Sequence, residues 1–215
     1  MTSLQQNIKN FKIDMSHKAP ADVLALMQRC TDELRASGIE NKALGVGQQI
    51  PSFRLPDQHG RMHELNEYLK KGPLVINIYR GGWCPYCNME MKALADTVES
   101  IRALGAELIG MSPETPEKAE VSSVQNNLKI DILSDKGNAY SKELGIVFVV
   151  PEVLRPIYSQ FGIDIPAYNG DDTFTLPLPA TYIVRQDGVI HYAFINADYT
   201  ERQEPADLIG QLKKL

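Results

Sequence analysis

Cys84 and Cys87 stand three positions apart, separated by Pro85 and Tyr86, in a chain of 215 residues that holds only one other cysteine. Two thiols so placed can attack an electrophile, close a disulfide and reopen it. Proline favours the first helical position, where its missing N–H has no partner to lose, which makes Cys84 the N-cap and Cys87 the third helical residue. Residues three apart on a helix have β-carbons roughly 5–6 Å apart, and a small adjustment of the first turn brings the sulfurs into bonding range. Unpaired N–H groups and the positive end of the helix dipole favour a thiolate at this position. Moving a thiol pKa from about 8.5 to about 7 asks for roughly 2 kcal/mol and raises the ionised share at neutral pH from a few per cent to about half. A permanent structural disulfide and half of a zinc site are the blander uses of the same spacing.

The elements around the pair are those such chemistry needs. Leu74 to Tyr79 is a short, β-branched, nearly continuous apolar run, which reads as a strand buried on both faces. Arg80-Gly81-Gly82-Trp83 breaks it, and the glycines permit a sharp change of direction. The helix that follows carries Cys87, Met91, Leu94, Val98 and Ile101 on one stripe. Upstream, residues 1–45 read as helical, with Val23, Leu26, Met27, Cys30 and Leu34 on an apolar face that starts near Pro20 and ends at Gly38. Cys30 is read as a small buried hydrophobe, with a resolving thiol as the sharper alternative. Ala43 to Gly60 suits a hairpin, and Met62 to Lys70 a brief helix entry. His59 and His63 precede the cysteines at a spacing that could complete a zinc site, but the Gly60 turn between them favours two surface histidines.

Downstream, Ala106–Met111 and Ile130–Leu133 read as strands, with a polar helix from about Pro116 to Asn126 between them. Gly137 to Leu144 is a short helix closed by Gly145. Val147 to Leu178 is the least readable stretch. Thr181–Val184 and Val189–Phe194 form a hairpin across an Asp-Gly turn, and an amphipathic helix, Pro205 to Leu215, closes the chain. Strands alternating with helices point to an α/β layer fold.

The 43% hydrophobic and 23% charged residues describe an ordinary globular composition. A formal charge of −5 without a basic, aromatic-laced stripe argues against nucleic acid as a partner. The first residues lack the apolar core of a secretory signal and no run approaches a membrane span, so the expectation is no membrane and a cytoplasmic location. In a reducing compartment an adjacent cysteine pair reads as redox-active rather than structural.

These features resemble the thioredoxin fold, and more closely the peroxiredoxin-like proteins of the alkyl hydroperoxide reductase / thiol-specific antioxidant (AhpC/TSA) family. The likeness runs from about Gly45 to the C-terminus through VGQQIPSFRLPDQHG, YRGGWCPYCNMEM, LSDKGNAYSKELGI and LPATYIVRQDGVI; RGGWCPYC is the most specific of these. It implies an α/β, thioredoxin-like fold with a central mixed sheet flanked by helices, residues 1–44 being a helical extension and 45–215 the thioredoxin-like domain. In peroxiredoxins a Pro-x-x-x-Thr-x-x-Cys pattern surrounds the attacking cysteine. Laid on this chain, Cys87 falls on that cysteine, Cys84 on the threonine, Arg80 on the proline and Glu90 on the following glutamate. The family's later arginine aligns with Pro179, a residue that also resembles the cis-proline beside thioredoxin active sites.

The reading is therefore a thiol-dependent peroxidase. Cys84, Cys87 and Arg80 are its catalytic candidates; Trp83, Pro179 and Thr181 are its candidates for substrate contact. Arg80 would steady a thiolate or a departing oxygen, unless it is a solvent-facing charge; Trp83 would cover the pair, unless it merely packs. No cofactor and no metal is called for. The partners implied are a hydroperoxide and a thioredoxin-like or glutathione-type reductant, and a homodimer is compatible with them. A thiol–disulfide oxidoreductase, with Cys84 attacking, and a non-catalytic redox-sensing module are the alternatives.

Overall fold

A computed structural model describes residues 3–215. Three helices lead the chain: α1 (Leu4–Lys18), α2 (Ala21–Ala36) and the short α3 (Ile39–Lys42). The hairpin β1 (Arg54–Pro56) and β2 (Met62–Glu64) follows, then α4 (Leu65–Leu69), so Met62 opens with a strand where helix was expected. The core begins at β3 (Leu74–Ile78), buried along its whole length.

After β3 come α5 (Pro85–Ala95), α6 (Val98–Ala103), β4 (Glu107–Ser112), α7 (Pro116–Gln125) and β5 (Asp131–Ser134). The single helix expected through Ile101 is two. Thr97 leaves the helical region at φ −105°, ψ 5°, yet Leu94, Val98 and Ile101 all stay buried, so the apolar stripe runs on across a break it does not reveal.

α8 (Ala139–Glu143) forms within the Gly137–Leu144 helix that was expected, and the hard-to-read stretch after it holds β6 (Val147–Val149), α9 (Arg155–Gln160), α10 (Ile165–Asn169) and β7 (Thr175–Pro177). β6 and β7 make a small antiparallel pair of their own. The chain ends with β8 (Ala180–Val184), β9 (Ile190–Ile195) and α11 (Pro205–Leu212).

The main sheet has the order β5-β4-β3-β8-β9. Its β5-β4-β3 half is parallel and its β3-β8-β9 half antiparallel, a mixed sheet of thioredoxin type. One face packs on Tyr68, Tyr140 and Leu144; the other receives Cys87, Met91 and Leu94 of α5 and Leu208 of α11. α1 lies against α5, with Phe11 edge-on to Tyr86 at 5.2 Å between ring centres. The parallel half ends its strands on the side where α5 begins, the usual place for an α/β site.

Candidate active site

The site begins where β3 runs out. Tyr79 still pairs with the sheet, its N–H donating to Met111 at 3.0 Å, and Arg80 is buried. Gly81 then adopts φ +146°, and a β-carbon there would fall 2.4 Å from the Trp83 ring nitrogen. Only glycine fits both demands. The turn is held by the Cys84 N–H donating to the Gly81 carbonyl at 3.1 Å and by the Asn88 amide donating to the Gly82 carbonyl at 2.7 Å. Pro85 takes the first position of α5, and Cys84 is its N-cap.

Both sulfurs are buried and both are free thiols. The two titrate as a pair, with the Cys87 thiol favouring charge on Cys84. Arg202, from the segment after β9, reaches them both. Its Nη2 stands 3.3 Å from Cys87 Sγ and 3.9 Å from Cys84 Sγ, and its Nη1 donates to Glu90 Oε2 at 3.0 Å. Its Nε donates to the Tyr199 carbonyl at 2.8 Å, while the Gln203 N–H donates to the other Glu90 oxygen at 3.1 Å. Each atom of the guanidinium edge is thus assigned a partner in a dry environment, which fixes its orientation.

Burial alone would raise the Cys84 pKa. The Cys87 thiol, the Arg80 and Arg202 guanidiniums and the Cys87 backbone N–H outweigh it and bring Cys84 down to about 5. Burial pushes the Cys87 thiol up, and the neighbouring Cys84 helps to hold the proton there. The pair therefore gives up one proton readily and retains the second. Arg202 stands closer to Cys87, yet the charge rests on Cys84, where the Cys87 thiol, the Cys87 backbone N–H and the Arg80 charge add their effects.

Arg80 is not a solvent-facing charge. Its Nη2 donates to Tyr158 Oη at 3.2 Å, and its guanidinium lies over the Tyr199 and Trp83 rings at 4.4 and 4.9 Å from their centres. Among the described residues its Nε has no hydrogen-bond partner and no carboxylate pairs with it. Trp83 is half-buried beside it and tilts on Tyr158. Cys84, Cys87, Arg80 and Trp83 thus come together as expected.

Pro179 and Thr181 do not join them in the expected way. No cis peptide bond occurs among the described residues, so Pro179 is trans. It sits just before β8, its carbonyl accepting from the Asn196 N–H at 3.3 Å, and borders a small cavity of about 120 Å³ that it shares with Arg80 and Cys30. The hydrogen bonds into the sheet on both sides of β8 set its path without the cis bend. Thr181 is fully buried in β8, its hydroxyl accepting from the Asn77 amide at 2.8 Å, and offers a substrate no surface. His63 is no free surface histidine either: its ring bonds Asp57 Oδ2 and Tyr68 Oη, each at 3.0 Å. Cys30 is buried on α2, as its place on the apolar stripe implied.

Arg202 escaped sequence reading, and so did Tyr158 and Tyr199. One signal pointed toward it: the family's arginine position holds Pro179, so a guanidinium had to come from elsewhere.

A family model described as the AhpC/TSA family matches residues 46–193. The chain is 29% identical over 198 residues to chloroplastic peroxiredoxin Q of Triticum aestivum, covering 92% of this chain and 78% of that protein. It is 30% identical over 169 residues to chloroplastic peroxiredoxin Q of Sedum lineare, covering 78% of each. Among solved structures, peroxidoxin BcpB of Mycobacterium tuberculosis superposes with a TM-score of 0.63 at 17% identity, over 80% of this chain and 98% of that one. These findings overturn the expected cytoplasmic location, since the plant relatives are chloroplastic proteins.

Proposed function

Because this chain belongs to the AhpC/TSA family and is a thiol-dependent peroxidase, we propose that its Cys84/Cys87 pair performs the reduction and is recycled by an external dithiol. A thiolate of the pair displaces at the terminal oxygen of a hydroperoxide; the S–O bond forms, the O–O bond breaks, and the departing alkoxide takes up a proton. The sulfenic acid that results condenses with the second thiol, releasing water and leaving a disulfide. A thioredoxin-type or glutathione-type thiol then restores both sulfurs by exchange.

The observation that carries this reading is one guanidinium edge within reach of both sulfurs, in a pocket where Arg80 supplies a second positive charge. Such donors stabilise the thiolate beforehand and the charge that develops on the leaving oxygen. The division into an extension, 1–44, and a catalytic domain, 45–215, belongs to the same proposal; the start of the family match at residue 46 supports it.

A protein-disulfide reductase would need an exposed sulfur and a shaped backbone groove. Here the thiols are buried beneath Trp83 and Tyr86, and the trans Pro179 weakens the groove that reading relied on. The same closure favours a small thiol, or a loosened first turn of α5, in the reductive half-reaction. The test is hydroperoxide loss with dithiothreitol as reductant, for wild type and the Cys84→Ser/Cys87→Ser double variant. Equal rates would overturn the proposal.

A further inference from the structure

The two sulfurs do not face the same space. A cavity of about 330 Å³ opens onto Cys84, bounded on one side by Trp83, Pro85 and Tyr86 and on the other by Phe11 and Met15 of α1 and Leu24 of α2. Arg80, Tyr158 and Tyr199 close its polar end. Cys87 borders neither this cavity nor the smaller one beside Pro179. It lies wholly buried behind the first turn, against Arg202. α1 and α2, which lie outside the matched family region, supply part of this lining, and Phe161 and Ile163 from within that region complete a largely apolar wall.

We propose that Cys84, at the position where the family has threonine, is the attacking sulfur, that Cys87 resolves it, and that α1 and α2 complete a chamber which favours hydroperoxides bearing a bulky apolar group. This rests on the peroxidase reading above and adds to it the order of the two thiols and the class of substrate. An apolar pocket of this size with a few convergent polar groups is the form a small-molecule site takes.

The polar end is arranged for the leaving oxygen. Tyr158 accepts from Arg80 Nη2, and no side chain among the described residues takes its own hydroxyl proton. Among the described residues Arg80 Nε is buried and has no hydrogen-bond partner. An alkoxide leaving Cys84 toward this end meets one N–H and one O–H, and Tyr158 regains its proton from water. Cys87 afterwards loses its proton and attacks Cys84 sulfur; the S–S bond forms, the S–O bond breaks, and hydroxide leaves as water.

The experiment treats Cys84→Ser and Cys87→Ser variants of the full chain with cumene hydroperoxide in the presence of dimedone, then locates the adduct by mass spectrometry. The expected result is stoichiometric labelling at Cys84 in Cys87→Ser and none in Cys84→Ser. Labelling at Cys87 in Cys84→Ser, or none in either variant while wild type consumes peroxide, overturns the order of thiols. Wild type that consumes no peroxide refutes the peroxidase reading itself. For the chamber, Leu24→Trp is expected to raise KM for cumene hydroperoxide about tenfold with hydrogen peroxide little affected, a loss of the size a hydrophobic pocket gives. Met15→Trp serves as a second filler should Leu24→Trp fold poorly. Equal effects on both peroxides, or none on either, overturn the chamber.

Discussion

Arg202 and Glu90 form a buried ion pair, Nη1 to Oε2 at 3.0 Å, and through it the loop after β9 is pinned over the mouth of α5. Pairs buried like this add little net stability over an apolar substitute, yet removing one partner is costly because the other charge is stranded. Arg202→Met should therefore cost about 3–5 kcal/mol and abolish most peroxide turnover. Adding Glu90→Gln should restore much of the folding and none of the turnover. Urea unfolding and peroxide loss, measured on both variants, separate the two effects; recovery of activity in the double variant would show that Arg202 only positions the loop.

The thiol pair sets the pH dependence. With Cys84 down to about 5, alkylation by limiting iodoacetamide should be half-maximal near that pH and flat through neutrality, rather than rising toward the usual thiol range. An inflection near pH 8.5 would contradict the thiolate assignment.

How much of this was legible from the chain differs from element to element. β3, the glycine turn and the start of α5 announced themselves, because an apolar β-branched run, two glycines and a Cys-Pro step each permit few backbones. The β8–β9 hairpin did so through its Asp-Gly turn. β6 and β7 did not, being three residues each, too short for a period to emerge. Arg202 was hidden for another reason: a charged residue in a polar loop looks the same in sequence whether it faces water or is folded inward onto two sulfurs. Pro179 misled because its neighbours match the thioredoxin pattern while the sheet places it in trans.

Glu114 opposes the thiol in its effect on stability. Burial lifts its carboxyl to about 7, against the Gly82 N–H and the Ser112 and Ser122 hydroxyls that favour the charged form. Between its ordinary pKa and 7 the folded chain holds a proton that the unfolded chain releases, so stability from this group falls as pH rises. Cys84 works the other way: from pH 5 up to the unfolded thiol range the folded chain has already released its proton, so stability rises with pH. Across pH 5 to 7 the two slopes cancel in the reduced wild type. Each single replacement should unmask the other: Cys84→Ser should lose stability as pH rises through this window, and Glu114→Gln should gain it. Unfolding free energies of the reduced protein at pH 5, 6 and 7 check the signs.

Gly82 joins the turn before Cys84 to α7. A β-carbon there would fall 1.8 Å from Ser122 Oγ and 2.5 Å from Ser122 Cβ, so no rotation of the serine hydroxyl relieves the contact. Gly82→Ala must displace either α7 or the turn, and the turn is the softer element, since its carbonyl is held by the side chain of Asn88 rather than by the sheet. The expected cost is about 1–3 kcal/mol of stability, together with a fall in turnover as Cys84 shifts away from Arg80 and Arg202. Ser122→Gly removes the clashing atoms, so Gly82→Ala/Ser122→Gly should recover activity relative to Gly82→Ala alone, whatever Ser122→Gly itself costs α7 in helix propensity. A double-mutant cycle on both stability and peroxide rate isolates that coupling. Additive effects on both would mean that the packing of Gly82 on α7 does not set the position of the thiols.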